Sequence, residues 1–231
     1  MAASLYSIGL SGIQASTALI TTTGQNTSNV NTAGYNRQTT ALHSSINGGV
    51  EIRNTERVVD HFLNQQVRSD TSGNAYYENY YRLASVADEI MGDQSVSLNG
   101  YLDQAFSSLQ SANADPTSAS TREIAFNNLT RLVGQYHELA GFVEDQSELA
   151  RNQFTTAVDE LNQMTRQIAT LNEKILVQET VGGGAANELR DQQEELAKQI
   201  SELVDVKLSY DSNNLMELQF SGGQPLVLQG G

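Results

Sequence analysis

The sequence predicts a mainly α protein, an elongated helical bundle or coiled-coil rod with an extended N-terminal segment and a small β region at its C-terminal end. Three observations predict it. Apolar residues step by alternating fours and threes over most of the chain, which is the spacing of a helix seam. Prolines stand only at Pro116 and Pro225, so long stretches are free of helix breakers. After Leu203 the period falls to two, as in strands.

The first fifty residues carry one charged side chain, Arg37, among Ser, Thr, Asn, Gln, Gly and small apolar residues. Leu5, Ile8, Gly12, Ala15 and Leu19 form a seam, with Gly9, Ile13, Ser16 and Ile20 beside it. This is an amphipathic helix from about Ser4 to about Thr27 whose outer face lacks charge. Such a helix is marginal alone in water, so every face is expected to meet protein in an assembly. No partner helix for the seam is evident in the sequence. The helix ends in an Asn-rich stretch whose Asn29, Asn31 and Gly34 suit a C-cap and a tight turn. Residues 1–40 thus read as an assembly segment, and 41–57 as an extended connector with a turn at Asn47-Gly48-Gly49.

Residues 58–203 read as a long-helix rod domain. Val59, Phe62, Leu63 and Val67 share a face, followed by the pairs Tyr76/Tyr77 and Tyr80/Tyr81, then Leu83, Ala87 and Ile90. The tyrosines have no basic groove beside them, so a packed helix face is expected instead of a base-stacking platform. Leu98, Leu102, Phe106 and Leu109 mark a shorter helix that Asp115-Pro116 closes. Ser120 with Glu123 reads as a capping box opening the longest element, from about Thr121 to Gln178. Its two tracks, Ala125 to Val143 and Phe154 to Ile175, are joined by a stutter. Gly182-Gly183-Gly184 breaks this element, and Leu189, Leu196, Ile200 and Leu203 carry a further helix that folds back as a hairpin. In 204–231, Val206 to Tyr210, Leu215 to Phe220 and Leu226 to Leu228 read as strands, a β segment expected to begin a truncated outer domain.

Composition narrows the function. A net charge of −14 argues against nucleic-acid and anionic-membrane surfaces, which recruit clustered Lys and Arg. The absence of cysteine removes disulfides, thiolate metal sites and Cys nucleophiles. No stretch approaches the roughly 20 apolar residues of a membrane span, and the N-terminus lacks the pattern of a cleaved secretory signal. His43, His61 and His137 are far apart and outside metal-binding spacings. Glu144-Asp145 and Glu194-Glu195 read as solvated helix faces, and the glycine run lacks the residues of a phosphate loop. No catalytic residues, cofactor or metal site are assigned.

The stretch Asn29-Val-Asn-Thr-Ala-Gly-Tyr-Asn-Arg-Gln38 resembles the N-terminal signature of the flagellar rod, hook and hook-associated axial proteins. There Gly34 and Tyr35 end the turn, and Arg37 and Gln38 narrow the likeness to the hook-associated branch. Arg57-Val-Val-Asp60-His-Phe-Leu63, Asp115-Pro116 and Asn187-Glu-Leu-Arg-Asp191-Gln192 are similar to later segments of that branch. Gln193 and Ala33 depart from it, standing where Arg and Pro are usual. The resemblance implies the N-terminal portion of an extracellular structural subunit, exported by the flagellar type III apparatus and placed at the hook–filament junction. It implies partners: its own copies in a ring, the hook protein, a second hook-associated protein acting as filament adaptor, and an export chaperone. It also implies outer β domains and a C-terminal helix packing on the N-terminal one. The alternatives are another rod or hook subunit, or a non-flagellar acidic coiled-coil adaptor or enzyme domain with a helical arm.

Overall fold

The computed structural model describes residues 5–46, 48–92, 97–182 and 184–227. Ser4, Asn47, Gly183 and Leu228, named above as parts of a helix, turns and a strand, lie outside them, as does the side chain of Ile90. The chain divides into two compact units, Met1–Ala75 with Glu160–Gly231, and Tyr76–Asp159.

The first unit opens with α1 (Leu5–Ser28), followed by β1 (Gln38–Ser44) and β2 (Val50–Arg57). The two strands pair antiparallel, Gln38 opposite Arg57 and Ser44 opposite Val50, with a bulge at Ala41/Leu42. The stretch expected as an extended connector is therefore a hairpin, and it supplies the intrachain partner that α1 lacked. Ala15 and Thr22, seven residues apart on one helix face, are the buried residues of α1. Thr22 Oγ1 lies 2.6 Å from Thr40 Oγ1, which lies 2.9 Å from Thr55 Oγ1. Ser11 Oγ accepts from the Val50 amide at 3.1 Å.

The same unit holds the start of α2 (His61–Gly92), the end of α4 (Ala119–Thr180), α5 (Asn187–Leu203) and strands β3 (Val206–Tyr210), β4 (Met216–Phe220) and β5 (Pro225–Val227). The three strands form an antiparallel sheet in sequence order. Its core joins Ile168 of α4, Ala197 and Ile200 of α5, and Val206, Met216, Leu218 and Val227 of the sheet. Leu161 and Met164, earlier on the same four–three track, pack against it. A second cluster gathers Ile175, Ala186 and Leu215, with Leu189 against it. Burying such side chains is the main favourable contribution to folding here. Within this core Asn172 ties helix to sheet: its Nδ2 donates to Met216 O at 2.9 Å, and its Oδ1 accepts from Met216 N at 3.0 Å and Gln193 Nε2 at 2.8 Å.

The second unit contains the rest of α2, α3 (Leu98–Ala114) and the first part of α4. Among the described residues its buried positions are small or polar: Ala105, Ser108, Ala125 and Gln135. Three expectations are corrected in it. Tyr76, Tyr77, Tyr80 and Tyr81 are all more than 60% exposed and form edge-on pairs instead of a packed face. Adjacent residues on a helix lie about 100° apart, so two such pairs wrap too far round α2 to share one buried stripe. Along the first α4 track only Ala125 is fully buried, while Tyr136 and Val143 are exposed. The helix cap is Ser118, whose Oγ accepts from the Thr121 amide at 3.4 Å, because α4 begins at Ala119, before Ser120.

Among the described residues no helix is long and apolar enough to cross a membrane, and no group of three His, Asp or Glu is placed to hold a metal.

Candidate assembly site on the fifth helix

The helix-to-hairpin turn is built locally first. Asn29 holds it at its start, Nδ2 donating to Gln25 O at 3.0 Å while Oδ1 accepts from Thr32 Oγ1 at 3.2 Å. Gly34 adopts φ +77°, a conformation that favours glycine. A Cβ there would also lie 3.1 Å from Glu195 Cβ, so the turn touches α5 at the residue where only glycine fits without adjustment. Asn26 then fixes the exit. Its Oδ1 accepts from the Tyr35 hydroxyl and from the Gln38 amide, both at 2.8 Å, and its Nδ2 donates to Gln38 O at 2.8 Å. This arrangement makes β1 begin at Gln38, which is buried.

The turn and hairpin meet α5 through polar groups. The Asn36 amide donates to Asp191 Oδ2 at 3.2 Å, and Asn36 Nδ2 donates to Asp191 Oδ1 at 2.8 Å. Arg57, at the end of β2, spans both α5 carboxylates, Asp191 at 2.8 Å and Glu194 at 3.0 Å. All three side chains are only 8–10% exposed. Asn64 of α2 donates to Glu194 at 3.1 Å, and Asn187 donates to Thr55 O at 2.8 Å and Gln38 Oε1 at 3.3 Å. Asn187, Asp191 and Glu194 are spaced by four and three, so one face of α5 carries the whole row.

The electrostatics follow from this crowding. Burial, then the charges of Asp191 and Glu188, push the Tyr35 hydroxyl above its ordinary value. Burial and then Glu194 likewise raise Tyr210, against the opposing pull of Arg57, Arg68 and Arg190. Burial lowers Arg68, with Tyr210 and Glu194 acting in the opposite direction. A buried ion pair stabilises a fold little over a well-packed apolar alternative, but removing one partner leaves a costly uncompensated charge. Loss of Arg57, or of either carboxylate, would therefore leave a buried charge without its partner.

The sequence-assigned residues divide between this cluster and the surface. Gly34, Tyr35 and Gln38 belong to it, directly or through Asn26. Asn29 shapes the turn, Asn31 is exposed, and Arg37 is exposed while its carbonyl accepts from the Val58 amide at 2.8 Å. Of the seam, Ala15 is buried against the hairpin side, Gly12 is half-buried, Ile8 and Leu19 are partly exposed, and Leu5 is almost fully exposed. Sequence reasoning missed Asn26, Asn36, Arg57, Asn187, Asp191 and Glu194 as a set. Glu194 in particular is no solvated residue, since three side chains donate to it. The available signal was the Asn187, Asp191, Glu194 spacing, a polar row beside the apolar row of Leu189, Leu196 and Ile200.

Comparisons with known proteins agree with the fold. The model of the flagellar hook-associated protein FlgK helical domain matches residues 84–231. The flagellar hook-associated protein 1 of Salmonella typhimurium strain LT2 is 30% identical over 97% of this chain. That of Bacillus subtilis strain 168 is 25% identical over 87%. The chain spans 42% of the Salmonella protein's length and 43% of the Bacillus protein's. The solved structure of the flagellar hook junction protein FlgK from Burkholderia pseudomallei superposes with a TM-score of 0.66 at 25% identity, covering 71% of this chain and 29% of that one. With the family model covering well over half of its residues, the chain belongs to the family of the flagellar hook-associated protein FlgK helical domain.

Proposed function

We propose that this chain is the N-terminal portion of a structural subunit of the bacterial flagellum, which joins hook to filament at the hook–filament junction and performs no catalysis. The observation that carries the reading is the likeness to hook-associated proteins along 97% of the chain. The character of α1 supports it from the physical side. Leu5, Tyr6, Ile13 and Ile20 are each at least two-thirds exposed on a helix without a single charge, a surface suited to protein contact and poorly suited to water. On this reading the subunit is exported by the flagellar type III apparatus with an export chaperone. It sits outside the cell among copies of itself in a ring, between the hook protein and the second hook-associated protein. Residues 1–40 are its assembly segment, with Leu5, Ile8, Gly12, Ala15 and Leu19 as the seam.

Immunogold labelling of isolated flagella with antibody against this chain tests the location. Gold confined to the boundary between hook and filament is the expected result. Gold along the hook, or in the rod below it, overturns the assignment to the junction.

A further inference from the structure

We propose that residues 5–57 form one rigid module that pivots on the short connector around Val59 and is held closed on α5 by the Asn36–Arg57–Asp191–Glu194 latch. The module is internally complete. α1 and the β1–β2 hairpin are joined by the Thr22–Thr40–Thr55 chain, the Asn26 bonds to Gln38 and the Ser11 bond to Val50. Neither hydrophobic cluster of the unit draws a residue from 5–57. Apart from the Val58 bond to Arg37 O at the module's own end, the hydrogen bonds and ion pairs that join Asn36, Gln38, Thr55 and Arg57 to the rest of the unit fall on a single row of α5, Asn187, Asp191 and Glu194. Apart from the close approach of Gly34 to the Glu195 stem, the closed position thus rests on polar contacts.

Space on both sides of the latch fits this reading. A cleft of about 830 Å3 separates the turn, at Thr32 and Ala33, from Arg166 and Lys174 of α4. A second, of about 900 Å3, separates Ile13, Thr17 and Thr21 of α1 from Gln178 and Leu189. Interiors of folded domains are normally close-packed, so a body flanked by two open clefts is docked without being merged into the core. The connector has the form of a hinge. Val58 belongs to the module through its bond to Arg37 O, and Asp60 belongs to α2, its Oδ1 accepting from the Phe62 and Leu63 amides at 3.0 and 3.1 Å. Val59 lies between these two anchored residues, and hinges are commonly a few such element-terminal positions. Opening bares the Asp191 and Glu194 carboxylates to solvent while Asn64 keeps its place on the α2 side. The module can then take a different direction from the α5 body without losing its own fold.

These 231 residues contain no cysteine, so Thr23→Cys on α1 and Glu202→Cys on α5 accept spin labels at two exposed positions unique within them. Distances measured by double electron–electron resonance compare this labelled parent with Asp191→Asn/Glu194→Gln and with Arg57→Gln in the same background. The expected result is one dominant, narrow distance in the parent, with a second population of a few per cent at most. In both variants a second, broad population grows at least about tenfold, because each removes charges that hold the closed state. Amide exchange in β1, β2, α5 and β3–β5 stays at parental levels, showing that the module moves without melting. A single narrow distance in all three proteins overturns the proposal. So does faster exchange in β1 and β2 that accompanies the broadening, since the segment would then be unfolding instead of pivoting.

Discussion

Asn172→Ala is expected to lower the stability of the first unit by about 3–5 kcal/mol. Its side chain joins α4 to the first residue of β4 and to α5 at once, and it is buried. Alanine leaves the Met216 amide, the Met216 carbonyl and Gln193 Nε2 without these partners inside the core. Each such group costs about 1–3 kcal/mol, reduced where a water enters the space left behind. The site has little tolerance to spare, because Gln193 is fully buried and its Oε1 is already without a hydrogen-bond partner. Urea unfolding followed at the α4–α5–sheet unit gives the value. A loss below about 1 kcal/mol would show that Asn172 is replaceable and that the apolar cluster alone fixes the sheet on the helices.

The second large effect is expected at Arg190, which closes the α4–α5 hairpin. Its guanidinium meets both oxygens of Glu179, at 2.9 and 2.8 Å, and donates to Asn214 O at 2.8 Å. The hydrogen bonds from Arg190 are the chief cause that holds the Glu179 carboxyl below its ordinary value of 4.5. A carboxyl with a depressed folded value stabilises the fold above the unfolded value and loses that contribution as pH falls through the folded one. The parent should therefore lose this part of its stability below about pH 4.5. Arg190→Leu should be less stable at neutral pH by about 2–3 kcal/mol, since charge-assisted bonds are lost while Glu179 keeps partial access to water. The gap between variant and parent should narrow in acid. Thermal unfolding from pH 7 down to 3 checks this; a gap that stays constant with pH would remove Glu179 from the account.

Helix spacing made the end of α4 and α5 legible because their buried residues recur on one face, and it placed α1 although most of its seam is exposed. The track through Leu161, Met164, Ile168 and Ile175 borders the core as its period requires. The change to period two announced β3 and β4, and Gly34 announced a turn because few other residues take its conformation. The hairpin β1–β2 was harder to read, since its strands are polar and pair with α1 through Thr and Ser hydroxyls instead of an apolar stripe. The latch was legible only as the polar row of Asn187, Asp191 and Glu194 along α5, which does not name its partners. Asn36 and Asp191 are 155 residues apart, and nothing in the neighbourhood of Glu194 distinguishes a buried carboxylate from a solvated one. The tyrosine pairs misled for the opposite reason: large aromatic side chains suggested burial in a unit whose buried positions, among the described residues, are small or polar.

Deletion of the gene in the source bacterium tests whether the protein joins hook to filament, as proposed. The flagella are viewed by electron microscopy and filament protein is assayed in the medium. Intact hooks without filaments, with filament subunits released outside the cell, are the expected result. Normal filaments would contradict it outright, and missing hooks would move the protein inward to the rod or hook.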